Sequence, residues 1–174
     1  MHRIIILLPF IFIGLITAAR AQENLEIKYD AGTDKTTVTT KTHHVSGDPL
    51  NGLHIKLVGL YHGRDIKPTD QMGLIVFCVS EDGLQFRKNK DKELSFLVDG
   101  KKVKIGEVYL AFQEYDLIRF MQGLYARIDL PTLTRIANAT KAEGKVGSKE
   151  FTLNQELQGA IKAFVEYFSL TQKK

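Results

Sequence analysis

Cysteine is nearly absent: Cys78 is the only one in 174 residues. A single thiol excludes an intrachain disulfide, and with it the stapled scaffolds of small secreted eukaryotic domains; an exported chain of this kind fits a bacterial periplasm better. Cys78 lies in the apolar run Leu74–Val79, with no histidine or basic residue beside it to generate a thiolate. That context predicts a buried structural thiol. The metal spacings HExxH and CxxC are missing, as are a phosphate-cradling glycine loop and a dinucleotide fingerprint. None of Ser46, Ser80, Ser95, Ser148 or Ser169 stands in the Gly-x-Ser-x-Gly elbow of a serine hydrolase.

A strong charge of one sign is lacking too. The whole chain carries a formal +4. Arg3 and Arg20 belong to an N-terminal stretch that reads as a secretory signal peptide, residues 1–21. Without it, 22 basic residues face 20 acidic ones, a net of +2. Such a balance calls for no anionic partner, and an exported protein is not expected to meet nucleic acid. The leader has one early positive charge at Arg3, an apolar stretch from Ile4 to Thr17, and small residues at Ala19 and Ala21. Cleavage is expected between Ala21 and Gln22. The apolar stretch is well short of the ~20 residues that span a bilayer, so no transmembrane segment is expected after cleavage. The remaining 153 residues are one domain's worth, expected over 22–170, with a polar tail at 171–174.

The first two thirds of the domain read as strands. Leu25, Ile27 and Tyr29 alternate with Glu26 and Lys28, the period of a half-buried strand. Thr36 to Val45 is β-branched and reads as its partner, broken by Ser46-Gly47-Asp48-Pro49. Leu53, Ile55 and Leu57 alternate with His54 and Lys56 in a third strand ending near Tyr61. Arg64 to Gln71, with Pro68, reads as a loop. Leu74–Val79 is apolar on both faces, as a central strand would be. Asp99-Gly100 between Leu94–Val98 and Lys101–Ile105 predicts a type I′ hairpin. Tyr109–Met121 reads as strand then loop, and Leu124–Asp129 as another strand.

The C-terminal third changes character. Asp129 caps a short helix with Pro131 in its first turn. Lys141–Val146 and Lys149–Leu153 form a hairpin around Gly147-Ser148. Thr152-Leu153-Asn154-Gln155 fits a capping box, and Leu157, Ala160, Ile161, Phe164 and Phe168 follow at helical spacing. The expected fold is α+β: a mainly antiparallel β-sheet or sandwich of seven to ten strands, closed by a C-terminal amphipathic helix.

Phe96-Leu97-Val98-Asp99-Gly100, Ile136-Ala137-Asn138-Ala139, Gly144-Lys145-Val146-Gly147 and the stretch Phe151 to Phe164 resemble small exported bacterial proteins of unknown function. The likeness covers the last half of the chain. It implies an exported α+β domain and transfers no functional residue.

Four histidines survive cleavage, His43, His44, His54 and His62, all within twenty residues. If the strands flanking Pro49 pair, His44 and His54 face each other, close enough to share a metal. His43 would lie on the other face; Asp48 or His62 would be the third ligand. Among the carboxylates, Asp65, Asp70, Glu81, Asp82, Glu114 and Asp116 fall in expected loops with no catalytic pairing by spacing. The run Arg87-Lys88-Asn89-Lys90-Asp91-Lys92 reads as a solvated bridge between strands. Three functions follow. The first is an exported, non-catalytic module that binds an unknown envelope or extracellular partner. The second is a metal-binding protein or metal-dependent envelope enzyme using the His43–His62 cluster. The third is a carrier of a small apolar ligand between sheet and helix, lined by Phe112, Phe164 and Phe168. No cofactor is indicated, and the oligomeric state is not legible.

Overall fold

In a computed structural model, residues 25–64, 71–83, 85–103, 105, 108–116 and 118–171 are described. The segment expected to be a signal peptide, with its Ala21/Gln22 junction, most of the Pro68 loop and residues 172–174 lie outside them. The alternating segments build two antiparallel sheets. Strands β1 (Leu25–Asp30), β2 (Lys35–Thr40), β4 (Asn51–His62), β5 (Gln71–Ser80), β9 (Arg119–Arg127) and β8 (Val108–Asp116) lie in that order in the larger one. β3 (His43–Asp48) joins it by pairing with β4. β11 (Lys149–Thr152), β10 (Ala142–Val146), β6 (Leu94–Val98) and β7 (Lys101–Val103) make the smaller sheet. Two helices, α1 (Leu130–Ala137) and α2 (Gln155–Thr171), complete the α+β architecture.

The core lies on one face of the larger sheet. Leu53, Ile55, Leu57, Leu74, Val76, Leu124 and Ala126 are buried there. The smaller sheet covers them with Phe96, Val98 and Val146, and α2 with Leu157, Ile161, Phe164 and Phe168. The helical stripe read from the sequence is therefore core. α2 crosses β4 at Gly59, where any side chain would run into the Phe168 ring. Cys78 is free and buried, and burial raises its thiol pKa, as its apolar run predicts. Leu74–Val79 is central, hydrogen-bonded to β4 and β9.

Several boundaries differ from the sequence reading. Thr36–Val45 is not one strand: the chain breaks it at Lys41-Thr42, and β2 and β3 follow each other along the same flank of β4. Thr40 makes the break tolerable, because its buried hydroxyl oxygen accepts the Leu57 N–H at 3.0 Å. Ser46–Asp48 continue β3 instead of ending it, and the turn falls at Pro49-Leu50. Tyr109–Met121 is not strand then loop but a hairpin, with β9 starting at Arg119. The expected strand at Leu124 is the second half of β9. The α2 cap is Asn154, not Thr152: the Asn154 side-chain oxygen accepts the Leu157 N–H at 2.9 Å. Asp129 caps α1 as read, accepting from the Thr132 N–H at 2.8 Å. The Asp99-Gly100 turn has φ of 47° and 74°, as a type I′ turn requires. Eleven strands are described against the seven to ten expected.

Candidate functional site

The opposite face of the larger sheet carries the site. Strand alternation sends His54, Lys56, Val58 and Leu60 of β4 to this side, with Ile75, Phe77 and Val79 of β5 beside them. A solvated sheet face usually alternates to polar residues; this one stays largely apolar. One cross-strand row runs through His44, His54, Phe77, Gly123 and Phe112. Gly123 leaves a gap that the Phe112 ring fills, and Tyr125 likewise lies over Gly73. The rings touch in sequence: His44 on His54 at 5.3 Å, His54 stacked on Phe77 at 5.0 Å, Phe77 near Phe112 at 6.1 Å. Tyr109 packs against Tyr125 at 5.1 Å one row away. Half-buried Phe77, Phe112 and Tyr125 and exposed Leu60 and Tyr109 leave the face open among the described residues.

At one end of this face a cleft of about 270 Å³ opens between the β3–β4 and β8–β9 hairpins. Pro49, Leu50, His54, Glu114, Arg119 and Met121 line it. The β3–β4 hairpin tip is held by Asp48, whose carboxylate accepts the Leu50 N–H at 2.8 Å. Gly47, at φ 83°, occupies the left-handed region that only glycine adopts freely. Gly52 is needed for closeness, since a Cβ there would strike the β3 backbone and come within 3.0 Å of His44 Nε2.

The sequence pairing of His44 with His54 is met: the two stand directly opposite on β3 and β4. His54 is only 8% exposed. Burial, and then the charge of His44, lower its pKa, while a hydrogen bond to the Pro49 carbonyl works the other way. Nε2 of both rings is enclosed and has no hydrogen-bond partner. The Pro49 bond is therefore made by Nδ1–H of His54, which leaves Nε2 as the lone-pair nitrogen.

The rest of the His43–His62 cluster does not assemble. His43 is buried on the core side, with Nδ1 3.4 Å from Glu156 on α2. His62 sits opposite Lys35, eight residues along β4 from His54. Asp48 is spent on the hairpin tip. Among the described residues, no three His, Cys, Asp or Glu side chains group to hold a metal. Among the described residues, Phe112, Phe164 and Phe168 do not line one pocket as expected. Phe164 and Phe168 are fully buried on the core side, whereas Phe112 lies on the far face over Gly123. The space left between sheet and helices beside Ile55, Leu74 and Leu157 is about 10 Å³, too small for a ligand.

A larger hollow of about 690 Å³ lies on the outer side of the smaller sheet. It is lined by exposed Lys145 and Glu150, which pair with each other at 2.9 Å, together with Lys102 and Glu143. Glu143 pairs in turn with Lys141 at 2.7 Å. The basic run folds into a short 3₁₀ turn, Asn89–Lys92, in which Asp91 accepts the Lys88 N–H at 2.9 Å. Of the loop carboxylates, Glu114 proves to be on β8 at the cleft, while Glu81 and Asp82 are exposed beyond β5. Missed by sequence reasoning were Phe77, Met121 and Arg119, whose roles depend on strand order across β4, β5 and β9. No protein-family model, curated protein or solved structure matches the chain. No described helix is long and apolar enough to cross a membrane.

Proposed function

We propose that this chain is an exported, non-catalytic binding module that docks an envelope or extracellular partner on the open face of its larger sheet. One observation carries the reading: half-buried Phe77 and Phe112 in the row His44–His54–Phe77–Phe112, exposed Tyr109 one row away and exposed Leu60 further along β4 leave apolar side chains open among the described residues. Contiguous apolar surface on a folded domain marks a binding face when it is not an accident of scattered single residues. Here it runs across β4, β5, β9 and β8, with Lys56 and Arg127 as its charged members. The partner that fits is one with a flat apolar or ring-bearing surface. Export rests on the leader at residues 1–21 and its Ala21/Gln22 junction.

The test uses full-length chain expressed with its leader. Intact mass should begin at Gln22 and the protein should fractionate outside the cytosol; a mass beginning at Met1 in the cytosol removes the export half. For docking, wild type and the face variants Leu60→Glu and Tyr109→Glu are compared with Leu97→Glu on the smaller sheet. Partner recovered from envelope extract should be lost with the first two and kept with the third. Hydrogen exchange of the complex should slow on β5 and β9. Recovery indifferent to Leu60→Glu and Tyr109→Glu, or nothing above background, defeats the docking half.

A further inference from the structure

We infer that His44 and His54 form a two-imidazole site for a divalent cation of the zinc class, with its remaining coordination positions open to solvent or to a ligand in the cleft. The site shares His44 and His54 with the docking row but needs no partner docked there. Three features carry it. The first is the pair of enclosed Nε2 atoms, neither with a hydrogen-bond partner. Buried polar atoms are normally satisfied, and an unpaired one asks for an ion or a water. The second is tautomer control. The Pro49 carbonyl takes one ring proton of His54 and leaves Nε2 as a free donor pair. Histidine ligands to metals are characteristically held this way, by a backbone carbonyl on the other nitrogen.

The third is geometry. A zinc–imidazole bond is about 2.0–2.1 Å, and a ring nitrogen lies about 1.2 Å from its ring centre, which puts each centre about 3.2 Å from a shared ion. Ring centres 5.3 Å apart are within the span that two imidazoles cover when both bind one such ion. The ring planes are turned 62° from one another, so the imidazoles do not stack and exclude an ion between them. His43 and His62 lie elsewhere, and no third His, Cys, Asp or Glu among the described residues completes the shell. Two protein ligands leave positions open, unlike the closed four-ligand shell of a structural zinc site. His54 also lines the 270 Å³ cleft, and His44 stands beside it on β3.

Untagged chain, stripped with chelator, is titrated with Zn²⁺ and with Co²⁺ as its coloured surrogate. Wild type and His62→Ala should each take up one equivalent, with an apparent Kd on the order of 10 μM or tighter. His44→Ala and His54→Ala should weaken uptake at least about tenfold, the scale of losing a ligand or its support. The bound Co²⁺ should show the intense visible absorption of a low-coordinate ion. Because His54 is buried, its replacement also disturbs packing, so His44→Ala is paired with imidazole NMR of the wild type. The His44 and His54 ring signals should move on adding Zn²⁺, and those of His62 should not. No saturable uptake below about 100 μM, uptake kept by His44→Ala, or shifts confined to His43 and His62 each overturn the assignment.

Discussion

Residues at the core seam set the pH behaviour of the fold. The Tyr167 and Tyr61 hydroxyls meet at 3.0 Å under α2. Burial, then the hydrogen bond to Tyr61, push the Tyr167 pKa well above the ordinary value of 10.0. The unfolded chain releases that proton more readily, so the stability tied to it is complete below the unfolded pKa, about 10, and is lost as pH rises from there through the folded one. Tyr167→Phe should lower stability near neutral pH by about 0.5–1.5 kcal/mol, the net worth of one hydrogen bond. It should also flatten the decline above pH ~10, read by urea melts across that range. Gly59 gives a second prediction at this scale. Gly59→Ala drives a methyl into the Phe168 ring, and overpacking should cost about 1–3 kcal/mol in thermal melts.

Elements show which parts of the chain declare themselves. The Asp99-Gly100 hairpin and the Asp129 cap were legible because each depends on a neighbour only two or three residues away. The α2 cap was misread by two positions. Thr152 and Asn154 are both good caps, and what decides is that Thr152 is already the last residue of β11, paired with Glu143. Asn154→Ala should therefore cost about 1 kcal/mol, and Thr152→Ala clearly less, when the two are compared by denaturant titration. The β2–β3 break was hidden because it depends on Thr40 meeting the Leu57 N–H, a contact seventeen residues apart. The hairpin of Tyr109–Met121 was hidden by residues that are apolar at both strand and helix spacing. Of the site, the pairing of His44 with His54 was visible as two residues equidistant from a Pro49 turn. The Phe77–Phe112 paving was not, since β8 reaches Phe77 only across the glycine at 123 of β9.

At the scale of the molecule, one side of the larger sheet holds the fold and the other stays open among the described residues. Leu60→Glu should consequently change stability by less than about 0.5 kcal/mol and Tyr109→Glu, which gives up the Tyr125 ring contact, by about 0.5–1.5 kcal/mol, both well below a truncation at buried Val76 or Leu124. Chemical denaturation of both variants checks this, and a large loss would mean that the face is already covered within the chain. The two histidines also differ in what they hang from. β4 and β5 carry ladders on both flanks at this level, with Leu53, Ile55 and Val76 sealed in the core. β3, by contrast, is hydrogen-bonded along one flank among the described residues and carries a bulge between His44 and Ser46. Amides of the β4–β5 ladder should exchange last and those of β3 sooner. The imidazole at 54 thus sits in the fixed jaw of the pair, and the one at 44 in the more compliant jaw.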